Sequence, residues 1–244
     1  MDVSFIVPAR NEEGYIEKTL KSIKSQKTKL KTELIVVDGM SKDKTAKIAK
    51  KYAKVIVQKT KGIADARNIG AKKAKGKLLI FIDADTTLAP DYLKKVWAYM
   101  NSKKDVVAIT AMMKFDSLRW YERIGVWLMD AMIQFWSKFG KGRLTGVNTV
   151  VWRSAFEKVK GFPNVHSEDI AFTRNIQKLG RTEYFMDTYT ISSSRRFHTD
   201  RGFILYYILR DFVTFIEMSR FRKKKVVKTV EKKLAKRTKY KEIR

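Results

Sequence analysis

Apolar residues recur along this chain in two rhythms: short unbroken runs, and stripes spaced three to four residues apart. VSFIVPA (3–9), ELIVVDG (33–39), KVIVQK (54–59) and LLIFID (78–83) are runs of the first kind. A strand buried on both faces needs apolar residues at successive positions, whereas a half-solvated strand alternates. Between the runs, EGYIEKTLKSIKSQ (13–26) spaces Ile16, Leu20 and Ile23 along one helical face. KTAKIAKKYA (44–53) and IADARNIGAKKAKG (63–76) predict two more helices, the latter closing on Gly76, and a fourth is expected from Pro90 to about Ser102. Strand and helix alternate four times, which predicts an α/β fold with a parallel sheet covered by helices on both faces.

The second half is less regular. DVVAITAMM (105–113) predicts a strand, and SLRWYERIGVWLMDAMIQFWSKFG (117–140) a long aromatic-rich helix or helix pair. GVNTVVWRSAFEKVKGF (146–162) predicts a strand running into a short helix that stops at Gly161. SEDIAFTRNIQKLG (167–180) has the form of a capped helix, with Ser167 at the cap, acids in the first turn and Gly180 past the end. TEYFMDTYTISSS (182–194) is a strand region, followed by SRRFHTDRG and an amphipathic segment, FILYYILRDFVTFIEM (203–218). This divides the chain into a first half (1–104), a second half (105–200) and a C-terminal amphipathic helix with a basic tail (201–244). No internal repeat or low-complexity linker precedes that tail.

In parallel sheets ligands bind beyond the carboxyl ends of the strands. Those ends here are Pro8–Glu12, Asp38–Ser41 and the Asp83-Ala84-Asp85 that closes LLIFIDAD. Two aspartates one residue apart repel, so they need a positive counterpart. Basic side chains would serve, and so would a hard divalent cation such as Mg2+ or Mn2+, which takes carboxylate oxygens and bridges to phosphate. A solvated pair in a turn is the plainer alternative. D-x-D-x-T after an apolar strand also resembles the nucleophile motif of haloacid-dehalogenase-type phosphatases, although there it usually lies on the first strand.

Composition narrows the field. Of the 244 residues, 44% are hydrophobic and 12% aromatic, enough to build a core. The absence of cysteine excludes disulfides, thiolate zinc sites and a cysteine nucleophile. No signal peptide is evident, and no uncharged apolar run reaches the roughly 18 residues that span a bilayer. A net charge of +28 calls for an anionic partner: nucleic acid, an anionic membrane surface or a phosphorylated substrate. Residues 219–244 hold 13 basic and 2 acidic side chains, so much of the excess sits in the tail.

VSFIVPARNEEGYIEKTLKSI, LIVVDGMSKDKTAKIA, KGIADARNIGAKKAKGKLLIFIDADTTLAPDYL and GFPNVHSEDIAFTRNIQKLG stand in the order expected of inverting family 2 glycosyltransferases with the GT-A fold. The chain resembles that family over roughly residues 1–198, and within it the members with polyprenyl-phosphate or lipid-linked acceptors. The resemblance implies a mostly parallel central sheet flanked by helices. It implies transfer of one sugar from a nucleotide diphosphate-sugar, with inversion and with Mg2+ or Mn2+ as cofactor. The Q-x-x-R-W signature of processive synthases is absent, which argues for single addition.

Carried over by position, the resemblance puts Pro8, Ala9, Arg10, Glu12, Asp38, Gly62, Arg67 and Asp83 on the donor nucleotide, with Asn11 orienting the loop. Asp85, assisted by Asp83, would hold the metal. The family often has a second Asp after Asp38, where this chain has Gly39. Glu168 and Asp169 occupy the family's acidic pair, with Asp169 the expected base; the alternative is that both only complement a helix N-terminus. Arg195 and Arg196 can clamp a pyrophosphate or an acceptor phosphate, His198 is a candidate third metal ligand, and His166 lies beside the acidic pair. The aromatic segments 118–136 and 202–225 suit a membrane interface, so a peripheral position at the cytoplasmic face is expected. Nucleic-acid binding remains the non-enzymatic alternative, not expected because it leaves the acidic sheet edge unexplained.

Overall fold

The computed structural model describes residues 1–165 and 167–199. The expected second amphipathic helix, the basic tail and His166 lie outside the described residues. In chain order the elements are β1 (Val3–Ala9), α1 (Ile16–Lys24), β2 (Thr32–Asp38), α2 (Thr45–Ala49), β3 (Lys54–Val57) and α3 (Ile63–Lys73). Next come β4 (Leu78–Ile82), β5 (Thr86–Leu88), α4 (Tyr92–Ser102), β6 (Val106–Phe115) and α5 (Trp120–Lys138). The last are β7 (Asn148–Trp152), α6 (Arg153–Lys158), α7 (Glu168–Ile176), β8 (Arg181–Ser192) and α8 (Arg195–Thr199).

Eight strands form one mixed sheet in the order β3-β2-β1-β4-β7-β6-β8-β5. The first four are parallel, as their unbroken apolar runs predict. Alternate residues of each run feed opposite faces. Val3, Phe5, Val7, Leu78 and Ile80 pack with Ile16, Leu20 and Val96 of α1 and α4. Ile6, Ile35, Val37, Leu79 and Phe81 pack with Ala64, Phe156 and Phe172 of α3, α6 and α7. From β7 onward the direction reverses: β7 runs antiparallel to β4 and β6, and β5 antiparallel to β8.

Asn148 fixes the register of this second half. Its buried side-chain amide accepts from the Ala111 backbone N at 2.8 Å and donates to the Ala111 carbonyl at 3.1 Å and to Thr190 Oγ1 at 3.0 Å. The amide thus supplies strand-like rungs where β6 and β7 share only two register pairs, Ala108–Val151 and Ile109–Val150.

One glycine acts differently from expectation. The helix α3 ends at Lys73 and its C-cap, Ala74, is extended. Gly76 lies beyond that end and lets the chain press on β1, where a Cβ would sit 2.4 Å from the Ser4 backbone N. Gly62, just before α3, has φ +111°, a conformation that L side chains rarely adopt. Ser167 also departs from the capping pattern: its φ of 58° is left-handed, and its side chain makes no cap hydrogen bond. A capping hydroxyl reaches the helix amides from extended backbone, so this conformation disables it.

By contacts the chain divides into two compact units. Among the described residues the first comprises Met1–Lys114 and Ile133–Ser192, the second Phe115–Met132 and Ser193–Thr199. In the second, Phe115 meets Phe197 edge-to-face at 4.8 Å, and Ser194 Oγ donates to Asp116 Oδ1 at 2.8 Å.

Candidate active site

The parallel half of the sheet sets out the first group of residues. Ala9 pairs with Asp38 at the carboxyl ends of β1 and β2, and Ile6 pairs with Phe81, two residues before Asp83. Adjacent parallel strands in this register deliver Ala9, Asp38 and Asp83 to one edge, as the chain pattern predicts. Asp38 is buried, and its carboxylate accepts from the Ser41 hydroxyl at 2.5 Å and the Ser41 N–H at 3.2 Å. Asn11, with φ 54°, ties the same two loops together: its N–H donates to Ser41 Oγ at 3.0 Å and its Oδ1 accepts from the Lys42 N–H at 2.8 Å. Arg10 is exposed beside them. Ser41 is a shared partner that sequence reasoning passed over, because a lone serine in a loop carries no pattern.

The aspartate pair sits in the turn between β4 and β5. The Thr86 N–H closes that turn on the Asp83 carbonyl at 3.1 Å, and the Asp83 N–H is anchored to the Val147 carbonyl at 3.1 Å. Asp83 is buried, whereas Asp85 is half-buried and within 3.5 Å of the Thr86 hydroxyl.

Arg67 lies inside the fold. It does not project towards solvent; it is 1% exposed and heads the largest buried side chains among the described residues. Small neighbours on α3 (Ala64, Ala66, Gly70 and Ala71) are buried with it. Its Nη1 donates to Glu168 Oε1 at 2.8 Å, and its Nη2 to Asp83 Oδ1 at 3.0 Å and the Gly146 carbonyl at 2.8 Å. Phe162 lies over the guanidinium at 5.2 Å. Burial pushes the guanidinium pKa down, but the adjacent charges of Asp83 and Glu168 outweigh it and hold it above its ordinary value. Arg67 is therefore cationic at every accessible pH.

The start of α7 brings in the second acidic pair. Glu168 is buried against Arg67, while Asp169 is half-buried and lies 3.4 Å from Arg143 Nη2. Arg143, itself buried, was not legible in GKGRLTG, where nothing separates it from the many surface basic residues. The first unit thus assembles Asp83, Glu168, Asp169, Arg67 and Arg143, drawn from segments far apart in sequence, with Asp85 at the same turn as Asp83.

The remaining expected residues belong to the second unit. Arg195 and Arg196 open α8 and are half-buried. The two ring nitrogens of His198 face Glu122 Oε1 at 3.6 Å and Ser194 Oγ at 3.3 Å. Both contacts lie within its own unit. Among the described residues no group of three His, Asp or Glu is arranged to hold a metal ion.

The chain matches the family model described as Glycosyl transferase family 2 over residues 4–160. An uncharacterized glycosyltransferase of Haemophilus influenzae is 30% identical over 177 residues, covering 70% of this chain and 69% of that protein. EpsH of Bacillus subtilis is 33% identical over 120 residues, 47% of this chain but only 35% of EpsH. The chain thus spans about a third of that relative's length. In structure, a mannosyltransferase of Pyrobaculum calidifontis solved with GDP-Man and Mn2+ superposes with a TM-score of 0.71 at 21% identity, over 95% of this chain and 69% of that one. Staphylococcus aureus TarS in complex with UDP-GlcNAc gives 0.66 at 22% identity, over 97% and 71%. These likenesses establish the GT-A fold.

Proposed function

The chain belongs to glycosyl transferase family 2, and on that premise we propose that it moves one sugar from a nucleoside diphosphate-sugar to a hydroxyl of a lipid-linked acceptor, inverting the anomeric carbon. The observation that carries this reading is the meeting of Asp83 and the Glu168–Asp169 pair around one buried guanidinium at the carboxyl edge of the sheet. Family membership displaces the phosphatase and nucleic-acid readings. It also fits the position of the aspartate pair, which follows the fourth strand of the chain and not the first.

The aspartate turn suits a divalent ion of the Mg2+ or Mn2+ type. Such ions take one or two carboxylates and complete their shell with water and substrate phosphate oxygens. Asp83 is partly committed to Arg67, so Asp85 is the principal protein ligand. When bound, the ion supplies positive charge to the departing nucleoside diphosphate. Asp38 and Asp83 address the nucleoside, with Pro8, Ala9, Arg10 and Glu12 forming the wall beside it and Gly62 allowing close backbone approach. Asp169 takes the proton of the acceptor hydroxyl.

Calorimetric titration with UDP- and GDP-sugars in Mn2+ tests the donor side. Saturable binding is expected, weakened in Asp85→Ala by upwards of about 100-fold, beyond the ~10–100-fold typical of losing a metal's outer-shell partner. Phosphate release from simple phosphoesters without nucleotide binding would sink the reading.

The lipid-linked acceptor rests on α5. No helix of the described residues is long and apolar enough to cross a membrane. In the second unit, however, α5 exposes Trp120 (74%), Tyr121, Ile124, Trp127 (67%) and Leu128, with Arg119 and Arg123 exposed beside them. Aromatic rings flanked by guanidinium groups match the boundary between acyl chains and anionic headgroups. The protein is expected to co-float with phosphatidylglycerol vesicles, and Trp120→Ser with Trp127→Ser to weaken that binding roughly tenfold or more. Equal flotation of both proteins would remove α5 from the membrane assignment.

A further inference from the structure

Arg67 is a long charged side chain placed where the core would ordinarily hold a hydrocarbon. Every contact of its fork is internal: Glu168 on one terminal nitrogen, Asp83 and the Gly146 carbonyl on the other, and the Phe162 ring across its plane. Its Nε has no hydrogen-bond partner, so the site is built around the two terminal nitrogens. A planar guanidinium fixes two carboxylates at a set angle and separation, which a lysine ammonium, a point charge on a flexible stem, cannot do. Asp83 is two residues from Asp85, and Glu168 is the neighbour of Asp169.

We propose that Arg67 is a positioning residue: it locks the aspartate turn after β4 to the start of α7, so that Asp85 and Asp169 are presented at one fixed separation. This assignment rests on the glycosyl-transfer reading of those two carboxylates. It removes Arg67 from the donor contacts and Glu168 from proton transfer; both serve the geometry of their neighbours. Gly146 belongs to the device, because a Cβ there would lie 2.7 Å from Arg67 Nη2 and displace the fork without changing any charge.

The test compares Arg67→Lys, Gly146→Ala, Glu168→Gln and the Arg67→Lys/Glu168→Gln double variant by melting temperature, nucleoside diphosphate affinity and steady-state kinetics. Misplacing reacting groups by about 1 Å costs on the order of 100-fold in rate, so kcat should fall by about that factor in each single variant. Nucleotide affinity should fall by a clearly smaller factor than kcat, because Arg67 itself makes no donor contact and Asp83 and Asp85 remain in place as side chains. The double variant should be no slower than the worse single one, since both break the same lock.

A nucleotide affinity at least tenfold weaker in Arg67→Lys, with kcat retained, would return Arg67 to the donor. Losses of kcat that multiply in the double variant would show two independent roles. Lower melting temperatures with unchanged kcat would make the lock purely structural. Each of these overturns the proposal. If the wild-type protein neither binds nucleotide nor transfers sugar, the glycosyl-transfer reading fails by itself. The melting temperatures then still decide the lock: losses that fail to add in the double variant support it, and additive losses refute it.

Discussion

Replacing Arg67 by methionine is expected to remove about 3–5 kcal/mol of folding stability, measured by urea denaturation at neutral pH. The side chain would still fill much of the space, so packing is not the main loss. What disappears is the guanidinium 2.8 Å from the buried Glu168 carboxylate and the charge that faces Asp83. Both acids would then have to stay ionised without that guanidinium or take up protons at a cost. Surface pairs in the same protein, such as Lys21 with Glu17 at 3.4 Å, are screened by water and contribute little. Adding Glu168→Met should recover part of the loss, because a hydrocarbon in place of a buried ion pair is often neutral or better. A loss below about 1 kcal/mol would mean that the acids reach water when Arg67 is gone.

The second large effect is on rate. Asp169→Asn is nearly isosteric and keeps an oxygen towards Arg143, so the fold should be unaffected. Its kcat should fall by roughly 100- to 10,000-fold, the contribution of a positioned general base, with donor affinity unchanged. The size of this loss also identifies the acceptor. A hydroxyl must give up its proton, whereas a phosphate is already ionised near neutral pH, so a loss under about tenfold would assign a phosphate acceptor.

The parallel half of the sheet was legible because being covered on both faces leaves an unmistakable trace, successive apolar residues in β1, β2 and β4. That trace carries no direction. The antiparallel course of β7 against β4 was invisible for this reason, and β5 was missed because three residues, TTL, make no pattern. The edge gathering Asp38 and Asp83 followed from strand ends alone. The place of Arg67 did not, since its partners lie 16 and 101 residues away. The available hint was the small-residue setting of ADARNIGA, which leaves room for a large side chain to turn inward. The neighbours of His198 were equally out of reach of the sequence: Glu122 and Ser194, brought near by folding, face its ring.

Asn148 carries a consequence for how this protein can diversify. Its amide serves an N–H and a carbonyl of Ala111 and a threonine hydroxyl at once. Aspartate lacks the donor for the Ala111 carbonyl, glutamine is a methylene too long, and leucine answers none. In a library varied at every position, 148 should therefore tolerate almost nothing, although it is assigned no part in the proton transfer. The loops around it can drift towards new sugars and acceptors so long as that one amide keeps β6, β7 and β8 in step.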